Sequence, residues 1–425
     1  MLPAQGSQPL HAQQTPAGGG RGAAQAAAGP IQSIEARTAG MQKIDGFFPL
    51  YWEERTGSMF LEIPKLDTEI LLNTGLAAGL GSNDIGLDRG GGGGARIVSF
   101  QRIGPRVLMT QPNMSFRSSS ANPLERKSVE DSFAKSVLWG FTVAGESSGH
   151  VLVDATDFML RDVTGAANSL RPGTYRLDRT RSAFYLPRTK AFPKNTEVEM
   201  TLTFVNEAAG GRGGGNAAGP QQGPGPIPEN GGGRAGGGGG RGGGLFSGSV
   251  ASVTPSAGAV TMREHMSFVE LPDNNYKPRY DDPRAGYGGL TFVDYSVPIG
   301  ETMQMRFIRR HRLEKKDPSA AVSEPLKPIQ YWVDSGAPED VKKALVEGAS
   351  WWAQAFEAAG FRNAFKVDVL PDGADPMDIR YNMINWVHRS TRGWSSGGSV
   401  ADPRTGEILK ATVTLGSLRD RQDFL

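Results

Sequence analysis

Hydrophobic and polar positions first fall into a clear rhythm in "GFFPLYWEERTGSMFLEIP". Apolar runs at Phe47–Trp52 and Met59–Ile63 flank "ERTGS", which predicts two strands around a turn. The pattern recurs in "ARIVSFQRIGPRVLMTQ", broken at Gly104-Pro105, and in "SVLWGFTVAGESSGHVLVDATDFML", broken between Gly145 and Gly149. In "AFYLPRTKAFPKNTEVEMTLTFV", Val198, Met200, Leu202 and Phe204 alternate with Glu199, Thr201 and Thr203. A half-buried strand needs that period of two. "LFSGSVASVTP" and "AVTMREHMSFVELP" add further strand-like runs, whereas "PLERKSVEDSFAKSVLWG" is the best helix before Pro328. Residues 42–320 are therefore expected to be largely antiparallel β.

Beyond Pro328 the pattern changes. "PIQYWVD" reads as a strand and "APEDVKKALVEGASWWAQAFEAAGF" as a helix. Glu339 and Asp340 suit its first turn, Gly360 its end, and Val341, Leu345, Trp352, Phe356 and Ala359 one apolar face. "FKVDVLP", "DIRYNMINWVH" and "ILKATVTLG" follow as three strands, so 328–425 reads strand, helix, strand, strand, strand, with a crossover in a mixed sheet. The fold class expected for the chain is α+β.

Composition adds two low-complexity segments. Residues 1–41 are Ala, Gly, Gln and Pro with few large apolar side chains, and are expected to be disordered. Residues 208–244 form a Gly/Arg-rich run inside the β region. Only Arg212, Arg234 and Arg241 are basic there and no aromatic residue is interleaved, so a flexible insertion is preferred to an RNA-binding tract. The formal net charge of +2 selects no polyanionic partner, and the basic cluster Arg309–Arg312 is followed at once by mixed charges. No nucleic acid is expected as a partner. The chain has no cysteine, which excludes disulfides, thiolate metal sites and cysteine nucleophiles. No apolar run reaches membrane-spanning length, and the first residues do not form an intact signal peptide.

No local motif carries a complete active site. His11, His150, His265, His311 and His388 are too far apart in sequence for two of them to share one helix face. His150 with Asp154 and Asp157 is the nearest approach to a ligand cluster, but strand spacing scatters the groups. "REHM" offers Glu264 and His265 without the second histidine of HExxH. "GSNDIGLDRGGGGG" lacks the Lys-Ser/Thr of a phosphate loop and reads as a plain loop. The carboxylate pairs Glu53–Glu54 and Asp375–Asp378 are unremarkable. His388, among Trp386, Arg389, Arg392 and Trp394, could line a cleft or pack at a strand end.

Several long stretches do carry a resemblance. "PIQYWVDSGAPEDVKKALVEGASWWAQAFEAAGF" and "GADPMDIRYNMINWVHRSTRGW" are joined by "GTYRLDRTRSAFYLPRTKAFPKNTEVEMTLTF" and "RRHRLEKKDPSAAVSEPLKPIQYWVD". From about residue 41 to residue 425, outside the glycine-rich run, the chain resembles large bacterial zinc-dependent metalloproteases with a metzincin-like catalytic domain behind long N-terminal domains. The resemblance implies that residues 328–425 are the upper part of such a domain, with an edge strand that borders the cleft and pairs with an extended peptide. Ile408, Leu409, Lys410, Ala411, Thr412, Val413, Thr414 and Leu415 are the expected edge strand, fed by the turn "DPRTG". HExxHxxGxxH is absent, so no zinc ligand or catalytic residue maps onto this sequence. Zinc, an exported location and a peptide or protein substrate are implied for a complete protease. These 425 residues by themselves are expected to be an inactive fragment without bound zinc. The alternative is a non-catalytic β-rich binding or structural protein of the cell envelope. The β-rich region could equally serve as a pro-region or as a substrate recruiter.

Overall fold

The computed structural model describes residues 30–82, 84–207, 248–391 and 395–424. The expected disorder of 1–29 and the glycine-rich insertion 208–244 lie outside the described residues. Residues 32–41 do not follow the expectation of disorder. Ser33 caps a short helix α1 (Ile34–Arg37) by accepting the Ala36 amide, and Ile34 is buried with Tyr51, Phe60 and Leu152. One large apolar side chain, with Arg37 stacked 4.4 Å over Phe60, anchors a segment whose composition looked too poor to fold.

The β-rich region forms a twelve-stranded sheet. Its first members are β1 (Gln42–Ile44), β2 (Leu50–Glu53), β3 (Ser58–Ile63), β4 (Ile70–Ala78), β5 (Ala95–Ile103) and β6 (Arg106–Gln111). β7 (Phe116–Arg117) leaves this sheet, and α2 (Pro123–Ser132) follows it. The helix expected from Pro123 to Gly140 thus ends at Ser132, because Ser136–Ser147 extends instead as β8, paired with β6 and with β9 (His150–Asp154). After α3 (Thr156–Met159) come β10 (Tyr175–Phe184), β11 (Lys190–Ala191), β12 (Asn195–Asn206) and β13 (Ala259–Val269). The spatial order is β1-β2-β3-β9-β8-β6-β5-β4-β13-β12-β10, with β11 on β12 and every pairing antiparallel. Phe100, Phe141, Phe158, Phe204 and Phe268 are fully buried in one core built from strands at both ends of this order. A small second sheet joins β15 (Gln304–Ile308), β14 (Gly289–Asp294) and β7.

The third sheet contains β16 (Ile329–Val333), β17 (Phe365–Val369), β18 (Asn382–Val387), β19 (Ser396–Ala401) and β20 (Ile408–Gly416). Its order is β17-β16-β18-β20-β19, parallel except for β19. Between β16 and β17 the expected long helix breaks into α4 (Glu339–Ser350) and α5 (Trp352–Ala358), and Gly360 ends it at φ +84°. Trp352 is exposed rather than on the packed face, while Leu345, Val346 and Ala349 rest on Val333, Val367 and Ile384. A final helix, α6 (Ser417–Phe424), follows β20.

The boundary expected near residue 328 separates two sheets, not two detached bodies, because Gln32–Leu425 form one compact unit. Leu71, Ile97 and Val269 of the large sheet pack against Ile379, just before β18, and against Val400 and Leu409 of the third sheet.

Candidate functional site

Ile408–Leu415 is not the sheet edge. β20 lies between β18 and β19, and its partners on both sides are filled. The edge is β19, formed by "SGGSVA", and its outer side has no partner strand among the described residues. Sequence pattern misses this strand because Ser396, Gly397, Gly398 and Ser399 show no apolar alternation. The turn after it, "DPRTG", makes the hairpin that folds β19 back onto β20, so the expected turn is real but feeds an interior strand. Ser396, Gly397 and Gly398 are exposed.

Arginines from the β-rich region grip that hairpin. Arg117 donates to the carbonyls of Pro403 at 2.6 Å and Arg404 at 2.9 Å while stacking 4.2 Å over Phe292. Burial lowers its pKa to about 10. Arg312 holds the Glu407 carboxylate through two bonds of 2.8 Å and also reaches Asp273. Backbone bonds join Arg310 to Gly406 and Ile408. Gly406 has φ +80°, and a Cβ there would lie 2.7 Å from the Ile308 carbonyl oxygen, so the close approach requires glycine.

Above β20 lies a cavity of about 1230 Å³, walled on one side by the third sheet and on the other by the outer face of β4, β12 and β13. The alternation of β12 and β13 explains its chemistry. Val198, Met200, Leu202, Met262 and Met266 fill the core, so Glu197, Glu199, Arg263, His265 and Ser267 share the opposite face. Glu197 is almost fully buried. It accepts from Asn195 Nδ2 at 2.7 Å and from the Ser267 hydroxyl, and its other oxygen lies 3.1 Å from His265 Nδ1. Asn195 is fixed in turn by Met377 and Ile379, across the junction between the sheets. Glu199 is paired with Arg263 at 3.0 Å, and its pKa is raised by burial against the opposing pull of Arg263 and Arg188. Lys410 enters from β20, donating to the carbonyls of Pro376 and, at 3.0 Å, Asp378. Loss of hydration pushes its pKa down to about 8, although Glu197, Asp378 and Asp375 favour its charged form.

The other sequence candidates separate. His150 binds Glu62 at 2.5 Å, whereas Asp154 accepts the Thr156 amide and Asp157 pairs with Arg179. Glu264 and His265 point to opposite faces of β13; Glu264 is fully buried and accepts from Val163 and Thr164. His388 bonds Ser417, and Arg389 pairs at 2.5 Å with Asp88, tying the end of β18 to the loop after β4; Arg392 and Trp394 lie outside the described residues. Asp375 accepts from Lys190 and Asp378 from Arg380, so both are structural partners. Half-buried His311 is held neutral, with its pKa lowered to about 4 by loss of hydration.

Among the described residues no group of three His, Asp or Glu side chains converges on a point where a metal could sit. The described residues therefore do not fit a zinc ion. No helix among the described residues is long and apolar enough to cross a membrane. No curated protein and no solved structure matched the chain. Residues 90–316, just over half of the chain, match the family described as a domain of unknown function (DUF5117), and the chain belongs to that family.

Proposed function

We propose that the third sheet is the substrate-binding half of an exported zinc-dependent peptidase, in which an extended peptide adds to β19 as a further strand. The observation that carries this reading is the free edge itself. A parallel sheet ends on one antiparallel strand, open on its outer side and lined there by Ser and Gly rather than by bulky or charged blockers. The resemblance of residues 328–425 to metzincin-like domains supports the same reading and expects such an edge beside the cleft. Zinc and the general base would have to come from outside these 425 residues, since the sequence contains no HExxH.

The role proposed here for the DUF5117 region is to hold the edge strand. Arg117 and Arg312 fix the turn from which β19 departs, a contact that a removable pro-region would not be expected to supply. The test is fluorescence anisotropy with labelled extended peptides and their backbone N-methylated counterparts. The reading expects binding that N-methylation at alternate residues abolishes, because strand addition uses main-chain hydrogen bonds. Equal binding of methylated and unmethylated peptides, or none at all, contradicts it. Peptide binding that never leads to cleavage, even when a zinc-binding segment is supplied, would favour a non-catalytic binding protein.

A further inference from the structure

The cavity between the two sheets holds chemistry that strand addition at β19 does not use. Glu197 accepts at His265 Nδ1 and thereby keeps a proton on that nitrogen. Nε2 has no hydrogen-bond partner among the described residues, and the His265 side chain remains 16% exposed. The ring lies across Gly75, where a Cβ would sit 2.8 Å from Nε2. Any side chain at residue 75 would collide with this nitrogen or displace the ring. The Glu197 carboxylate that orients the imidazole is itself locked by two donors, an investment in geometry that a mere surface histidine does not have.

A bare stretch of main chain lines the same cavity. Gly90–Gly94 cross β4, with Leu76 donating to the Gly91 carbonyl at 2.9 Å and Gly90 donating to the Leu76 carbonyl at 2.8 Å. Gly92 and Gly93 have φ of +72° and +70°, and their amides join no backbone hydrogen bond among the described residues. A Cβ at Gly93 would lie 2.1 Å from the Thr74 carbonyl oxygen, so this bare backbone is obligatory. Successive free amides in such a turn favour anions. Charge points the same way. The cavity is lined by seven cationic side chains against three carboxylates, and Arg263, which also pairs with Glu199, is two residues along β13 from His265.

We propose that this cavity binds a small ligand through an oxyanion, a carboxylate or a phosphate, taken by the imidazolium form of His265, which donates from Nε2 as well as from Nδ1, by the Arg263 guanidinium and by the glycine-loop amides. The cavity adjoins the inner part of β19 through Gly397–Ala401, but its ligand groups are not those of strand addition and do not depend on peptidase chemistry.

The experiment is a titration of the full chain, carrying ¹⁵N-labelled histidine, with inorganic phosphate, with acetate and with the dipeptide glycylglycine. The His265 ring signals are identified by their loss in His265→Gln. The expected result is a saturable shift of the His265 Nε2 resonance with at least one probe, while the other four histidines stay in place. A shift with phosphate alone assigns a phosphate ligand, and a shift with acetate and the dipeptide assigns a carboxylate. Thr412, on the β20 wall, offers an independent control. Thr412→Glu brings a carboxylate into the cavity and should weaken binding by about tenfold or more, while Thr412→Gln leaves it in place. No shift with any probe, or equal binding by Thr412→Glu, overturns the proposal.

Discussion

The large antiparallel sheet and the third sheet are stabilised in different ways. The first encloses a continuous core of Phe, Leu, Met and Val in which many side chains lose all exposure. The third has a small buried cluster of Val333, Val367 and Ile384, and no residue of α4 or α5 is fully buried. Much of what fixes it comes from the β-rich region before it: Arg117 and Arg312 at the hairpin, Asp88 on Arg389, and Asn195 on Met377 and Ile379. The third sheet is thus positioned by directional polar contacts more than by its own hydrophobic burial. Nor does the 90–316 match delimit a folding unit, because β4 lies at the centre of the large sheet and precedes the match.

The contrast can be broken from its strong side first. Phe204→Ala should cost about 4 kcal/mol, measured by chemical denaturation, because it empties a fully enclosed site in the main core. Arg312→Ala should cost about 2 kcal/mol, since it strips two charge-assisted bonds from a nearly buried Glu407. Its effect should concentrate in amide exchange of β19 and β20, leaving β12 and β13 protected. Val333→Ala should cost about 1.5 kcal/mol, from two lost methyl groups in a core too small to share the loss. If Phe204→Ala and Val333→Ala proved equally damaging, the asymmetry between the sheets would be refuted.

The smallest effect is a pH slope from Lys410. Its folded pKa of about 8 lies below the ordinary 10.5, so between these values the unfolded chain keeps a proton that the folded chain has released. Raising pH through this window therefore favours folding. Lys410→Met should flatten that part of the stability profile, and an unchanged slope would mean that the ammonium is not enclosed as described.

The sequence made the large sheet visible wherever one face met apolar core and the other did not, as in Val198–Phe204. It hid β19, because a strand of Ser and Gly is held by its hydrogen bonds to β20 and carries no pattern of its own. It also hid the Glu197–His265 pair. Those residues meet only because β12 and β13 align Glu199 with His265 and Glu197 with Ser267, a register that the intervening residues do not reveal. "REHM" looked empty because its sequence neighbours, Glu264 and His265, are on opposite faces, while the true partner of His265 lies on another strand. The edge was misplaced by one strand for the same reason: Ile408–Leu415 has the apolar content of an interior strand, and it is one.

Amide hydrogen exchange of the full chain, with and without a saturating extended peptide, shows whether β19 takes up a further strand. The sheet has two outer strands, β17 and β19, which makes each the control for the other. The account predicts new protection in Ser396–Ala401, with Phe365–Val369 unchanged. Protection confined to β17, or bound peptide that leaves both strands unchanged, would contradict it.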